Sequence, residues 1–130
     1  MATIFSKIVS GDIPAYKVAE NDRFLAFLDI FPLAEGHVLV VPKVEIDYIF
    51  DMDDDLLGEM LVFAKKVAKA MDKVLPCQRV GVAVIGLEVP HAHIHLVPIN
   101  NVSDIDFSKP KLKLSPEVFE ELRLKISSAL

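Results

Sequence analysis

The chain has 130 residues, 52% of them hydrophobic, and a formal net charge of −5. This length is typical of one domain with a sizeable core, and the acidic balance argues against nucleic acid or an anionic membrane as a partner. A single cysteine, Cys77, excludes an internal disulfide and a cysteine-rich metal site. No secretory leader pattern is present, and no apolar run approaches the ~20 residues of a membrane span. We therefore expect a soluble cytoplasmic protein.

Five short apolar or alternating runs, each bounded by turn residues, predict five β-strands. In chain order they cover residues 16–20, 24–29, 37–42, 80–86 and 91–98. Asn21 and Asp22 form a predicted hairpin turn between the first two strands. Because connections of hairpin length do not permit parallel crossovers, the predicted sheet is antiparallel.

Two amphipathic patterns predict helices. Apolar residues recur at three- and four-residue steps from Leu57 to Leu75, which indicates a long helix packed on the sheet and ended by Pro76. Ser115 and Pro116 form a start signal for a C-terminal helix. The predicted fold class is α+β: a five-stranded antiparallel sheet with one long helix and a C-terminal helix. One domain is expected over residues 1–130, with a core at 3–100 and a C-terminal extension at 101–130.

The most informative segment is HAHIH at residues 91–95, which holds three of the four histidines. Alternation along a strand places His91, His93 and His95 on one face, and it turns the residues between them toward the long helix. An adjacent pair of these histidines can bind a metal ion, with Glu45 or Glu88 as conceivable further ligands. The outer two start about 13 Å apart on a strand, however, which is too far for all three to meet one ion.

A row of imidazoles is better suited to an extended anionic substrate. Neutral imidazole has an unperturbed pKa near 6.5 and is a competent nucleophile at phosphorus, while neighbouring imidazoles donate hydrogen bonds or protons. His37 is a candidate to hydrogen-bond the other ring nitrogen of the nucleophile. Asp29 is a candidate to bind the paired hydroxyls of a ribose. Either residue alone can equally be a solvated strand end.

The HAHIH motif, followed by Leu96 and Val97, resembles the signature of the histidine triad (HIT) family. Residues 4–15 (IFSKIVSGDIPA), 25–32 (LAFLDIFP) and 36–43 (GHVLVVPK) are similar to its Hint-like branch in order and spacing. The resemblance covers residues 3–100. It implies a homodimeric nucleoside phosphoramidase or related nucleotidyl hydrolase, which uses no cofactor and acts on a purine nucleotide or nucleoside phosphoramidate.

By position, the resemblance also implies a role for each histidine. His93 is the nucleophile that becomes transiently nucleotidylated, His91 and His95 flank the phosphate, and His37 supports the nucleophile. The remaining nucleotide-binding positions are Asp29 and Ile30 for the ribose, and Gly86, Leu87, Glu88 and Val89 for the phosphate.

Several positions depart from the family pattern. Relatives often carry small polar residues where this chain has Leu87 and Glu88, and an acid beside a phosphate is unfavourable. This leaves open a dinucleoside polyphosphate hydrolase or a non-catalytic nucleotide-binding protein. The positions at which some relatives bind structural zinc read Thr3, Ser6 and Glu45, so no metal is predicted. The alternating lysines at 109, 111 and 113 can place a basic stripe near the substrate or solvate an edge strand, and the solvated edge strand is the preferred assignment.

Overall fold

The computed structural model describes residues 2–130 and contains a five-stranded sheet with three α-helices. The strands are β1 (Lys17–Glu20), β2 (Phe24–Leu28), β3 (Val38–Pro42), β4 (Arg79–Ala83) and β5 (Ile94–Ile99). Every pairing is antiparallel, and the order across the sheet is β1-β2-β3-β5-β4. The helices are α1 (Ile4–Ser10), α2 (Asp54–Val74) and α3 (Pro116–Ser127). The predicted α+β class is confirmed.

The side chains at the first turn and at the starts of α2 and α3 act locally as their chemistry requires. Asn21 Oδ1 accepts the backbone N–H groups of Arg23 and Phe24, at 2.9 and 2.8 Å, and so closes the first hairpin. Asp53 and Ser115 cap α2 and α3 by accepting the N–H group three residues ahead. These side chains satisfy donors that a turn or a helix start leaves unpaired, which explains why the element starts were readable from sequence.

The sheet separates two apolar clusters. One face packs against α2 and α3, and it includes Ala92, Ile94 and Leu96, as predicted. The other face packs against α1, where Phe5 and Ile8 contact the side chains of β2 and β3. The Phe5 ring also lies edge-on to the rings of His91 and His93. The histidines therefore lie on the face opposite the long helix.

Three features differ from the sequence prediction. Helix α1 was not predicted, β4 ends at Ala83 instead of Gly86, and β5 begins at Ile94 instead of His91. The N–H of Ala92 donates to the carbonyl of Ile46, and that of His91 to the carbonyl of Val89. The segment before β5 is therefore held by neighbouring loops and not by a strand ladder. Among residues 2–130, no helix combines the length and the apolarity that crossing a bilayer requires.

Candidate active site

All four histidine side chains are buried on the α1 face of the sheet. His37 directly precedes β3, His95 lies in β5, and His91 and His93 lie in the segment that leads into β5. The ring centroid of His95 is 4.9 Å from that of His93 and 5.2 Å from that of His37. Three of the imidazoles therefore form one contiguous group.

One hydrogen bond to the backbone fixes the tautomer of His93. Its Nδ1 lies 2.7 Å from the backbone carbonyl of His91, and because a carbonyl only accepts, Nδ1 carries the proton. The lone pair is therefore on Nε2. Nε2 has no protein partner, and since every buried side-chain nitrogen or oxygen among residues 2–130 has one, Nε2 is open to solvent. This is the state that a nucleophile requires.

A second chain of hydrogen bonds gives His95 the opposite arrangement. The backbone N–H of Leu33 donates to Nδ1 of His37 at 3.0 Å, so the proton of His37 lies on Nε2. That Nε2 donates to Nδ1 of His95, also at 3.0 Å. The proton of His95 is therefore on its own Nε2, which is likewise open to solvent. The site presents a lone pair on His93 beside an N–H donor on His95.

The expectation that His37 hydrogen-bonds the nucleophile is wrong. The antiparallel register pairs Leu39 with His95, and His37 lies two residues from Leu39 on the same face. The diagonal neighbour of His37 on β5 is therefore His95. His93 lies on the opposite side of His95 from His37, in the segment before the start of β5.

The expectation that His91 flanks the phosphate is also wrong. His91 is fully buried; its Nε2 donates to the carbonyl of Pro42 at 2.8 Å, and its Nδ1 accepts the hydroxyl of Thr3 at 2.9 Å. Neither ring nitrogen is left for a substrate. For the same reason His91 has no lone pair to share with His93 in binding a metal ion.

Burial sets the protonation of the site. It lowers the pKa of His37 to about 3 and that of His95 to about 4, and the neighbouring imidazoles add to both effects. Burial also lowers the pKa of His93 below its ordinary value of 6.5. All three rings are therefore neutral near pH 7, in agreement with their hydrogen bonds.

Asp29 lies beside the His37 and His95 pair. Its Oδ1 accepts the N–H of Phe31 at 2.9 Å, and its Oδ2 is 3.6 Å from Nε2 of His37. Burial raises the pKa of Asp29 to about 6, and the nearby charge of Glu88 contributes to the rise. Asp29 is thus ionised at neutral pH but contacts a neutral imidazole, so the two do not form an ion pair.

Residues 86–89 form an irregular loop between β4 and the histidines. Gly86 has a φ of +75°, a conformation that favours glycine, and Leu87 is 88% exposed. Val89 packs against the apolar cluster below α1. Glu88 is exposed, and its charge acts on both Asp29 and His93, partly offsetting the effect of burial on His93. Glu88 therefore lies close to the candidate site, and its predicted contact with the phosphate stays a prediction.

The donor atoms of Asp29, His37 and His95 lie within 4.8 Å of one another, a spacing that can hold a metal ion. The hydrogen bonds do not fit such a role. Because Leu33 donates to Nδ1 of His37, the proton occupies Nε2, and Nε2 has no lone pair for an ion. This group is a hydrogen-bonded chain and not a ligand set.

The C-terminal extension contributes residues that sequence analysis missed. The ring of Phe107 lies edge-on to that of His95, with centroids 4.7 Å apart. Lys111 Nζ donates to the carbonyls of Phe107 and Lys109, and the N–H of Leu112 donates to the carbonyl of Pro32. This segment is not the predicted edge strand. It covers His95 through Phe107, a residue that no sequence pattern marked.

Acid should destabilise the protein through the buried histidines. A pKa lowered by folding means that the unfolded chain binds more protons, so stability falls as pH drops through 6.5. Because folding raises the pKa of Asp29, its protonation increases stability as the pH falls from about 6 to 4. Between pH 7 and 5 the shifted pKa values of His37 and His95 each remove about 2 kcal/mol of stability and that of Asp29 returns about 1, a net loss of roughly 2 to 3 kcal/mol. Urea unfolding at the two pH values checks this, and equal stability at both would contradict it.

Comparison with known proteins gives a family match. A model of the HIT domain family matches residues 10–102. Adenosine 5'-monophosphoramidase hnt1 of Schizosaccharomyces pombe is 37% identical, with 100% of this chain and 99% of that protein covered. Adenosine 5'-monophosphoramidase HNT1 of Saccharomyces cerevisiae is 41% identical, with 75% and 62% covered. The crystal structure of a Hit-like protein from Bartonella henselae superposes with a TM-score of 0.86 at 31% identity, covering 98% of this chain and 96% of that one.

Proposed function

Because this chain belongs to the HIT domain family, we propose that it hydrolyses nucleoside 5'-monophosphate phosphoramidates through a covalent nucleotidyl intermediate on His93. The observation that carries the proposal is the pair of solvent-facing Nε2 atoms, a lone pair on His93 beside an N–H on His95. Two relatives named as adenosine 5'-monophosphoramidases, at 37% and 41% identity, support adenosine as the nucleoside.

The proposed reaction has two displacements. Nε2 of His93 attacks phosphorus, and the P–N bond of the substrate breaks; its electron pair leaves with the amine, which gains a proton from water. Water then attacks the phosphorus, the bond to Nε2 breaks and returns the lone pair to His93, and the released proton enters solvent. The Nε2–H of His95 donates to a non-bridging oxygen as charge develops there.

His95 acts in this scheme as a hydrogen-bond donor and not as an acid. A second proton on His95 would occupy Nδ1, which already accepts the Nε2–H of His37. The two N–H groups would then point at each other. Its pKa of about 4 agrees with a ring that stays neutral during turnover.

The remaining contacts place the nucleotide. We propose that the ionised carboxylate of Asp29 accepts hydrogen bonds from the ribose hydroxyls, beside the half-exposed side chain of Ile30. Backbone groups of Gly86 and Val89 then face the phosphate. Leu87 and Glu88 are exposed, so neither side chain blocks the histidines, although the charge of Glu88 disfavours highly anionic substrates.

Release of AMP from an adenosine phosphoramidate tests this function. We expect turnover of this substrate to exceed that of a dinucleoside polyphosphate, because Glu88 repels the larger charge. Faster cleavage of the polyphosphate would favour the dinucleotide hydrolase. Calorimetric binding of AMP without any turnover would identify a non-catalytic nucleotide-binding protein.

We also propose that the protein acts as a homodimer in the cytoplasm, joined along β4. β4 is an edge strand of the sheet, and the apolar side chains of Val82, Val84 and Ile85 on it and just after it are 58%, 42% and 47% exposed. Exposed apolar edge strands pair readily with another copy.

Light scattering should give a dimer mass for the wild-type chain and a monomer mass for Val82→Lys, since a charge at the edge opposes pairing. Phe50→Lys, at another exposed apolar side chain, is the matched control and should leave the dimer intact. A monomeric wild-type chain at micromolar concentration would contradict the proposal.

A further inference from the structure

A group of polar side chains connects α1 to the nucleophile. The hydroxyl of Thr3 donates to Nδ1 of His91 at 2.9 Å. The backbone N–H of Thr3 and the hydroxyl of Ser6 both donate to Oε1 of Glu45, at 3.0 and 2.7 Å. Thr3 is buried and Glu45 is exposed, so the group extends from the surface to His91. The carbonyl of His91 in turn accepts the Nδ1–H of His93.

The hydrogen-bond partners of His91 and Thr3 assign the protons of both side chains. Because Nε2 of His91 donates to the carbonyl of Pro42, Nδ1 is an acceptor and takes the hydroxyl proton of Thr3. Thr3 Oγ1 in turn accepts the backbone N–H of Ser6, which caps α1. The two hydrogen bonds to Glu45 keep the pKa of its carboxyl low, so the carboxylate stays an acceptor. The Ser6 hydroxyl also lies 2.9 Å from the backbone carbonyl of Thr3, so that carbonyl and Glu45 share its single proton.

We propose that Thr3 is a positioning residue for the nucleophile, acting through His91. This inference rests on the function proposed above, in which His93 attacks phosphorus. Thr3 and Pro42 hold the His91 ring at both nitrogens, and this fixes the adjoining carbonyl that orients His93. Phe5 packs edge-on against both rings, with centroid distances of 5.9 Å to His91 and 5.0 Å to His93. A shift of His91 is therefore transmitted to His93.

Thr3→Val removes the hydroxyl at nearly constant volume and leaves a buried Nδ1 without a donor, an arrangement that proteins avoid. The His91 ring then reorients, and the hydrogen bond that keeps the lone pair of His93 on Nε2 weakens. We expect the rate of nucleotidyl transfer to His93 in a single turnover to fall about tenfold with little change in KM. Thr3→Ser keeps a hydroxyl and should restore most of that rate.

Thr3 also caps α1, so a control for lost capping is needed. Ser115→Ala removes the equivalent cap of α3, whose hydroxyl accepts the N–H of Val118 at 3.2 Å. It should lower the melting temperature to a similar degree and leave the single-turnover rate unchanged. An equal rate loss in Ser115→Ala, no loss in folded Thr3→Val, or no rescue by Thr3→Ser would overturn the inference.

Long-range ¹H–¹⁵N spectra of the ring nitrogens test the same point without any substrate. The wild-type protein should show His91 protonated on Nε2 and His93 on Nδ1, and Thr3→Val should show a mixture of tautomers at His93. A His91 protonated on Nδ1 in the wild type would overturn the role of Thr3, even where Thr3→Val does not fold. A different result would contradict the proposed function itself: a variant that lacks the His93 ring would turn over substrate at the wild-type rate.

Discussion

Replacing His93 with alanine should lower the turnover of an adenosine phosphoramidate by at least about a thousandfold, because no other group can form the covalent bond to phosphorus. The other buried imidazoles do not substitute for it. Both nitrogens of His91 are engaged, and the solvent-facing Nε2 of His95 carries a proton. Initial rates with the purified variant measure the effect.

A chemical rescue makes the same prediction more specific. In the wild-type chain the centroid of the His93 ring lies 5.0 Å from that of the Phe5 ring. His93→Gly removes the His93 ring and leaves a space next to Phe5. Added imidazole should enter this space and restore part of the turnover, whereas added pyrrole, which lacks a basic nitrogen, should not. A His93→Ala variant that retained wild-type rates would rule out His93 as the nucleophile.

Replacing His95 with phenylalanine should lower kcat by about a hundredfold with a smaller change in KM. Phenylalanine keeps an aromatic ring against Phe107 but removes the Nε2–H donor that the proposed mechanism places against the phosphoryl oxygen. His37→Phe should have a weaker effect, roughly tenfold, because His37 only fixes the tautomer of His95. Steady-state kinetics give both values.

The order of these two effects is the informative result. A larger loss in His37→Phe than in His95→Phe would contradict the proposed roles, since it would place His37 at the substrate. His95→Phe should also remove most of the net stability change between pH 7 and 5, because about 2 kcal/mol of that change comes from His95 and Asp29 offsets much of what His37 contributes.

Sequence patterns predicted the strands, the helices α2 and α3, and the face on which the histidines lie. Alternation along β5 and the three- and four-residue steps of α2 are local, and caps such as Ser115 mark where helices begin. Helix α1 was missed although Thr3 and Gly11 are a start and a stop signal for it. Gly11 has a φ of +88°, and its N–H closes the helix on the carbonyls of Ile8 and Lys7.

The partners of the histidines were not predictable in the same way. They depend on contacts between residues far apart in the chain, such as Thr3 and Pro42 on His91 and His37 on His95. Strand alternation treats His91, His93 and His95 as equivalent. The structure separates them, because the segment before Ile94 leaves the ladder and turns His91 into the protein. Motif spacing indicated the candidate site, and the hydrogen bonds distinguish the residues within it.

The claim that His93 forms a covalent bond to phosphorus is tested most directly by trapping the intermediate. The protein is mixed with a slowly released adenosine phosphoramidate, quenched in base, where a phosphorus–imidazole bond persists, and analysed by mass spectrometry of its peptides. We predict one adenylyl group on the peptide that contains His93, its loss on brief acid treatment, and no adduct in His93→Ala. Turnover without an adduct, or an adduct on another residue, would contradict the account.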